Sequence, residues 1–217
     1  MGKKVVYMLT AVLLVLLLAF MVGCFSDQPE MPQIEQSMFA DEMGLNVDRT
    51  FEGIPRMTSS NGGILVVDPD TLTCDGIIQF DDITGGIQPG THYDDVIESD
   101  GADFAERFVG QTLTINGNFD ILSGTPSGPL SLQVGAPNHN VGVVEAPSCG
   151  PTQILTGWGP PGYPDFSGGG EGCFAVLFDF DQSEFGFRIC GGNGGTATIN
   201  FFQRNGSLID QIVVTNL

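Results

Sequence analysis

The side chains best suited to chemistry fall into three small groups. Asp81 and Asp82 are followed by Asp94 and Asp95 across the Gly- and Pro-containing loop 84–91. Carboxylates gathered on loops with free carbonyls suit Ca2+, which takes six to eight oxygen ligands. They equally suit turn capping on an acidic surface. No Asp-x-Asp-x-Asp-Gly loop occurs, which excludes an EF-hand. Trp158, Tyr163 and Phe166 lie in the run Gly157-Trp158-Gly159-Pro160-Pro161-Gly162-Tyr163-Pro164-Asp165-Phe166. Aromatic rings on such a loop can stack on a sugar or dock a protein, or they can plug the end of a sandwich. The third group is the cysteines, Cys24, Cys74, Cys149, Cys173 and Cys190. No Cys-x-x-Cys spacing is present and only His92 and His139 could join them, so zinc is disfavoured.

The familiar catalytic arrangements are missing. There is no Gly-x-Ser-x-Gly elbow, the two histidines stand alone, and no carboxylate pair rises above the general acidity. Glu106 and Arg107 read as a surface ion pair. Asn205-Gly206-Ser207 matches a glycosylation sequon but reads better as a hairpin turn. The expectation is a non-catalytic protein.

The first residues supply an address. Lys3 and Lys4 precede an apolar run from Val5 to Val22, broken by Thr10 and closed by Met21-Val22-Gly23-Cys24. A basic start, an apolar stretch and a small residue form a secretory signal. The Cys after Gly23 resembles the lipobox of bacterial lipoproteins, with Met21 where Leu is usual. That resemblance implies cleavage before Cys24, acylation of its thiol, and attachment to membrane lipid. Phe25 follows in place of the Asp that retains lipoproteins on the inner membrane, which implies the outer membrane. The alternative is an uncleaved anchor, since the run is about long enough to span a bilayer.

Charge narrows the partners. Both Lys residues lie in the signal, so the mature chain holds five Arg against 26 acidic residues, a net charge of −21. Such a surface repels nucleic acid and anionic lipid. Residues 24–60 are acidic and poor in aliphatic pattern, and read as a flexible tether. Residues 61–217 are long enough for one domain with a core.

The positioning elements are short strands. Gly (31 residues) and Phe (16) are abundant and long amphipathic patterns are missing. Strands are predicted at 64–67, 76–82, 92–98, 102–108, 111–116, 130–134, 140–145 and 152–156. Phe174, Val176, Phe178 and Phe180 alternate along one further strand, and Phe185, Phe187 and Ile189 along its expected hairpin partner. Residues 196–204 and 207–215 flank Asn205-Gly206, a type I′ signal. One aromatic face on such a meander needs a second sheet, which predicts an all-β, antiparallel, jelly-roll-like β-sandwich. If Cys24 takes lipid, four cysteines remain, an even set. Matching the Phe faces of the first hairpin sets Cys173 opposite Cys190, leaving Cys74 with Cys149.

Three stretches, Ile78-Gln79-Phe80-Asp81-Asp82-Ile83, Ala102–Gln111 and Gly128–Gln133, together with Phe185-Gly186-Phe187 and Gly194–Phe202, resemble the β-sandwich domains of bacterial exoproteins that include many with PEP-CTERM sorting tails. The likeness runs from about Gly76 to Leu217 and implies fold more than activity. The chain ends without a Pro-Glu-Pro, an apolar helix or a basic tail, so anchoring is expected at Cys24 instead. The leading expectation is a surface lipoprotein binding a glycan, matrix or envelope protein. A self-assembling envelope or appendage component is the alternative, and a hydrolase of extracellular polysaccharide a weaker one.

Overall fold

The computed structural model of the full chain describes residues 6–12, 18–20, 56–59, 63–67, 71–73, 76–146, 153–190 and 195–217. Cys24, Cys74, Cys149 and nearly all of the expected tether lie outside the described residues. Two stretches of the expected signal segment, Val6–Val12 and Leu18–Phe20, are strands, and the first is paired on both sides within a sheet, a place that cleavage before Cys24 would empty.

Among the described residues sixteen strands occur in chain order. They are β1 (Val6–Val12), β2 (Leu18–Phe20), β3 (Arg56–Ser59), β4 (Thr91–Tyr93), β5 (Ile97–Ser99), β6 (Ala102–Ala105), β7 (Arg107–Phe108) and β8 (Thr112–Asn116), then β9 (Phe119–Ser123), β10 (Leu132–Gln133), β11 (Val141–Glu145), β12 (Gln153–Gly157), β13 (Cys173–Phe178), β14 (Arg188–Cys190), β15 (Thr196–Phe202) and β16 (Leu208–Thr215). A seven-stranded sheet runs β3-β16-β15-β1-β13-β6-β5, and a five-stranded sheet runs β14-β2-β12-β11-β4. All pairings between named strands are antiparallel. The expected antiparallel sandwich is therefore present, in this strand order.

Period-two alternation builds the core. Ala197, Ile199 and Phe201 of β15 and Ile212 and Val214 of β16 point into the space between the sheets. Phe104, Phe174, Val176 and Phe178 join them from the same sheet, and Val141, Val143 and Leu155 face them from the other. Strand β13 is covered on both faces, which explains its unbroken apolar sequence. Its other face, through Cys173 and Ala175, meets a second core with Phe108, Leu122, Leu130 and Phe202. That second core lies under two small additions, the β8–β9 hairpin and the β7–β10 pair.

Several expectations are corrected. Residues 173–178 and 188–190 are not hairpin partners. Strand β13 pairs with β1 and β6, whereas β14 pairs with β2 in the opposite sheet. The chain crosses the core between them, where Phe178 and Phe185 meet edge to face at 5.4 Å. Cys173 faces the second core, away from β14, and is a free buried thiol, so the Cys173–Cys190 bridge does not form. Phe180 lies beyond the strand and is 78% exposed. Residues 64–67 and 76–82 are not strands, although Ile78 and Phe80 are buried. Strand β3 lies on the tether side of the boundary expected at residue 61.

The second expected hairpin is present, with β15 and β16 paired from Thr196↔Thr215 to Phe202↔Leu208. Its turn is not type I′, which needs positive φ at both central residues. Gly206 alone takes it, at φ 84°. The Asn205 Oδ1 instead accepts a hydrogen bond from the Ser207 amide at 2.9 Å, and a bulge at Phe201/Phe202 absorbs the register.

Candidate functional site

A cleft of about 500 Å3 opens beside the small hairpin. Glu106, Arg107, Asp120 and His139 supply its charged and titratable lining. Leu113, Ile115, Ala136 and Pro160 supply apolar wall, and Gln111 and Thr112 complete it.

Strand register places the first carboxylate. Along β9, Asp120 and Leu122 face inward while Phe119, Ile121 and Ser123 do not. Leu122 enters the second core, and Asp120, two residues earlier, takes the matching inward position at the cleft. It is 2% exposed. No described residue donates a hydrogen bond to its carboxylate. Burial pushes its pKa up to about 6, and the positive fields of His139 and Arg107 only partly oppose this. The same burial, with the charge of Asp120 added, pushes the Cys173 thiol well above its usual range.

Glu106 sits at the break between β6 and β7, buried against Arg107 as an ion pair. The expected surface pair is therefore an interior one. Its position is set by Asn140, itself fully buried. The Asn140 Oδ1 accepts from the Glu106 amide at 2.8 Å and the Gly135 amide at 3.2 Å. Its Nδ2 donates to the carbonyls of Tyr93 at 2.9 Å and Asp95 at 2.8 Å. One amide thus ties three loops at the cleft's edge. Gly135 is required there, since a Cβ would stand 2.6 Å from the Glu106 Oε1.

The aromatic loop closes the sandwich end. Trp158 is 0% exposed and lies edge-on to His92, Tyr163 and Phe166. A fully buried indole cannot stack on a ligand, so its assignment as a binding residue is corrected to a plug. Tyr163 stacks on His92 at 5.4 Å, and both Tyr163 and Phe166 are half-buried. The indole passes so close to β11 that a Cβ on Gly142 would meet its Nε1 at 2.6 Å. The loop reaches the cleft through Pro160 and through His139, whose Nδ1 lies 3.2 Å from the Gly159 carbonyl.

The four expected calcium ligands are exposed, and two of them, Asp82 and Asp94, are engaged with separate partners. The Asp82 Oδ1 accepts from the Ser99 hydroxyl at 2.6 Å. The Asp94 Oδ1 meets the His92 Nε2 at 2.7 Å and accepts from the Asn138 amide at 2.8 Å, and these bonds hold its pKa below the usual carboxylate value. Among the described residues no three His, Cys, Asp or Glu side chains are grouped to hold a metal. The histidines are likewise not alone, since each has a partner.

Sequence reasoning missed Asp120 altogether. The available signal was an acidic residue set among Phe119, Ile121 and Leu122, at an inward step of a strand. Comparison with family models, with curated proteins and with solved structures finds no match. Among the described residues no helix is long and apolar enough to cross a membrane.

Proposed function

We propose that the protein is a lipid-anchored module of the bacterial envelope whose β-sandwich binds an extracellular glycan in the cleft beside β8 and β9. The address rests on the basic, apolar and Gly23-Cys24 pattern of the N-terminus. The binding reading rests on the cleft itself. Polar groups from separate segments converge above an apolar wall, the arrangement that suits a sugar's hydroxyls and its C–H face. Turnover is not part of the reading. Glycoside cleavage ordinarily takes two carboxylates in separate roles, and here Glu106 is tied to Arg107.

A glycan array probed with the full chain tests this, followed by titration calorimetry on each hit. Binding that is lost on Ile115→Asp at the cleft rim supports the reading. Hydrolysis of a bound glycan, or binding indifferent to that substitution, overturns it.

Self-assembly is the second reading, favoured by Leu65, Val66 and Val67, three consecutive exposed apolar residues, of which Leu65 is 83% exposed. Concentration-dependent sedimentation abolished by Leu65→Asp would support it over glycan binding.

A further inference from the structure

We propose that the group seated against Asp120 is a free ammonium, so that the cleft selects an amino sugar over its acetylated or neutral counterparts; this rests on the glycan reading above. Three observations converge on it. Glu106 and Arg107 pair with each other, which leaves Asp120 as the carboxylate of the cleft without an ion-pair partner. Asp120 is buried to within 2% of complete, yet no described residue donates a hydrogen bond to it. The mature chain carries −21 overall, a field that draws cations and repels anions.

The chemistry follows from what a buried carboxylate lacks. An ionised carboxylate accepts through two oxygens and about four lone-pair sites. A sugar hydroxyl donates one proton and brings no charge. An ammonium donates three and brings the missing positive charge, which makes the bond charge-assisted and shorter. Other charged or titratable groups near Asp120 do not supply this. Arg107 is engaged by Glu106, the His139 Nδ1 lies against the Gly159 carbonyl, the Glu171 carbonyl takes the Asp120 amide, and the Cys173 thiol is held protonated. Leu113, Ile115 and Pro160 are placed to receive the apolar face of the ring that carries the amine.

The test uses the full chain and two probes, a glucosamine tetramer and its fully N-acetylated counterpart, titrated by calorimetry at near-neutral pH in low and high salt. The tetramer with free amines should bind at least tenfold more tightly, and salt should weaken it. Asp120→Asn should remove that preference, whereas the rim variant Ile115→Asp should weaken both sugars. Equal binding of the two tetramers, or a preference that survives Asp120→Asn, overturns the proposal and leaves the glycan reading standing. Equal binding of polylysine and the glucosamine tetramer also overturns it, since the site would then recognise an amine without its sugar. Binding of neither tetramer overturns it as well, and the glycan reading falls with it only if the array is blank too.

Discussion

Replacing Asp120 with Asn should make the empty protein more stable at neutral pH. Its carboxyl ionises near 3.8 when exposed and near 6 in the fold, chiefly because burial disfavours the charged form. At about 1.4 kcal/mol per pKa unit, the ionised group costs the fold about 3 kcal/mol at most. Solvent in the cleft screens part of this, leaving an expected gain of about 1–2 kcal/mol. The pH dependence has a definite sign. Between the two pKa values the folded chain holds a proton that the unfolded chain has released. The cost is therefore absent below about pH 4, grows from there to about pH 6, and is complete above it. Urea unfolding of parent and variant at about pH 7.5 and about pH 4 measures both points. The variant should unfold at higher urea at the upper pH, and the difference should vanish at the lower. A variant less stable at the upper pH, or a gain of equal size at both, would refute the reasoning. Paired with loss of the amine preference, the gain would mark Asp120 as a group kept for binding at a cost in stability.

Other expectations follow from the same geometry. Asn140→Ala should cost about 3 kcal/mol or more, because it strands the buried Glu106 amide and two carbonyls, each worth roughly 1–3 kcal/mol when unpaired; an unchanged urea midpoint would contradict the tie. Gly142→Ala should cost about 1–3 kcal/mol by forcing a Cβ against the Trp158 indole, and should shift the tryptophan fluorescence of the folded state. Cys173 should resist a thiol reagent in the native protein and react once it is unfolded, since its thiol is buried and its pKa raised; rapid native labelling would show that strand β13 is not covered as described.

The legible parts of this protein were those encoded within a few neighbouring residues. The Asn205-Gly206 pair predicted β15 and β16 on either side of it, because turn chemistry is carried by neighbouring residues, although the turn observed is not the expected type I′. The same local reading failed at residues 185–189. Their alternation correctly signalled an inward face, but two strands that face one core can lie in one sheet or in opposite sheets. Local periodicity is the same in both cases. The exposed Phe180 and the buried Glu106 show the same limit, since neither residue type states how many layers will cover it.

The sequence by itself determined an all-β chain and an acidic one, since composition, charge and turn chemistry are properties of the chain before it folds. Only the tertiary structure decided which strands are neighbours, that Cys173 stays a free thiol, and that Trp158 is a plug. It alone brought Glu106, Arg107, Asp120 and His139 to one cleft from three separate segments. The physical reason is desolvation. The charge on Asp120 is written in the sequence, but what that charge costs, and therefore what it can hold, depends on the β8–β9 hairpin folding down over the sheet and burying the residue at the edge of the cleft.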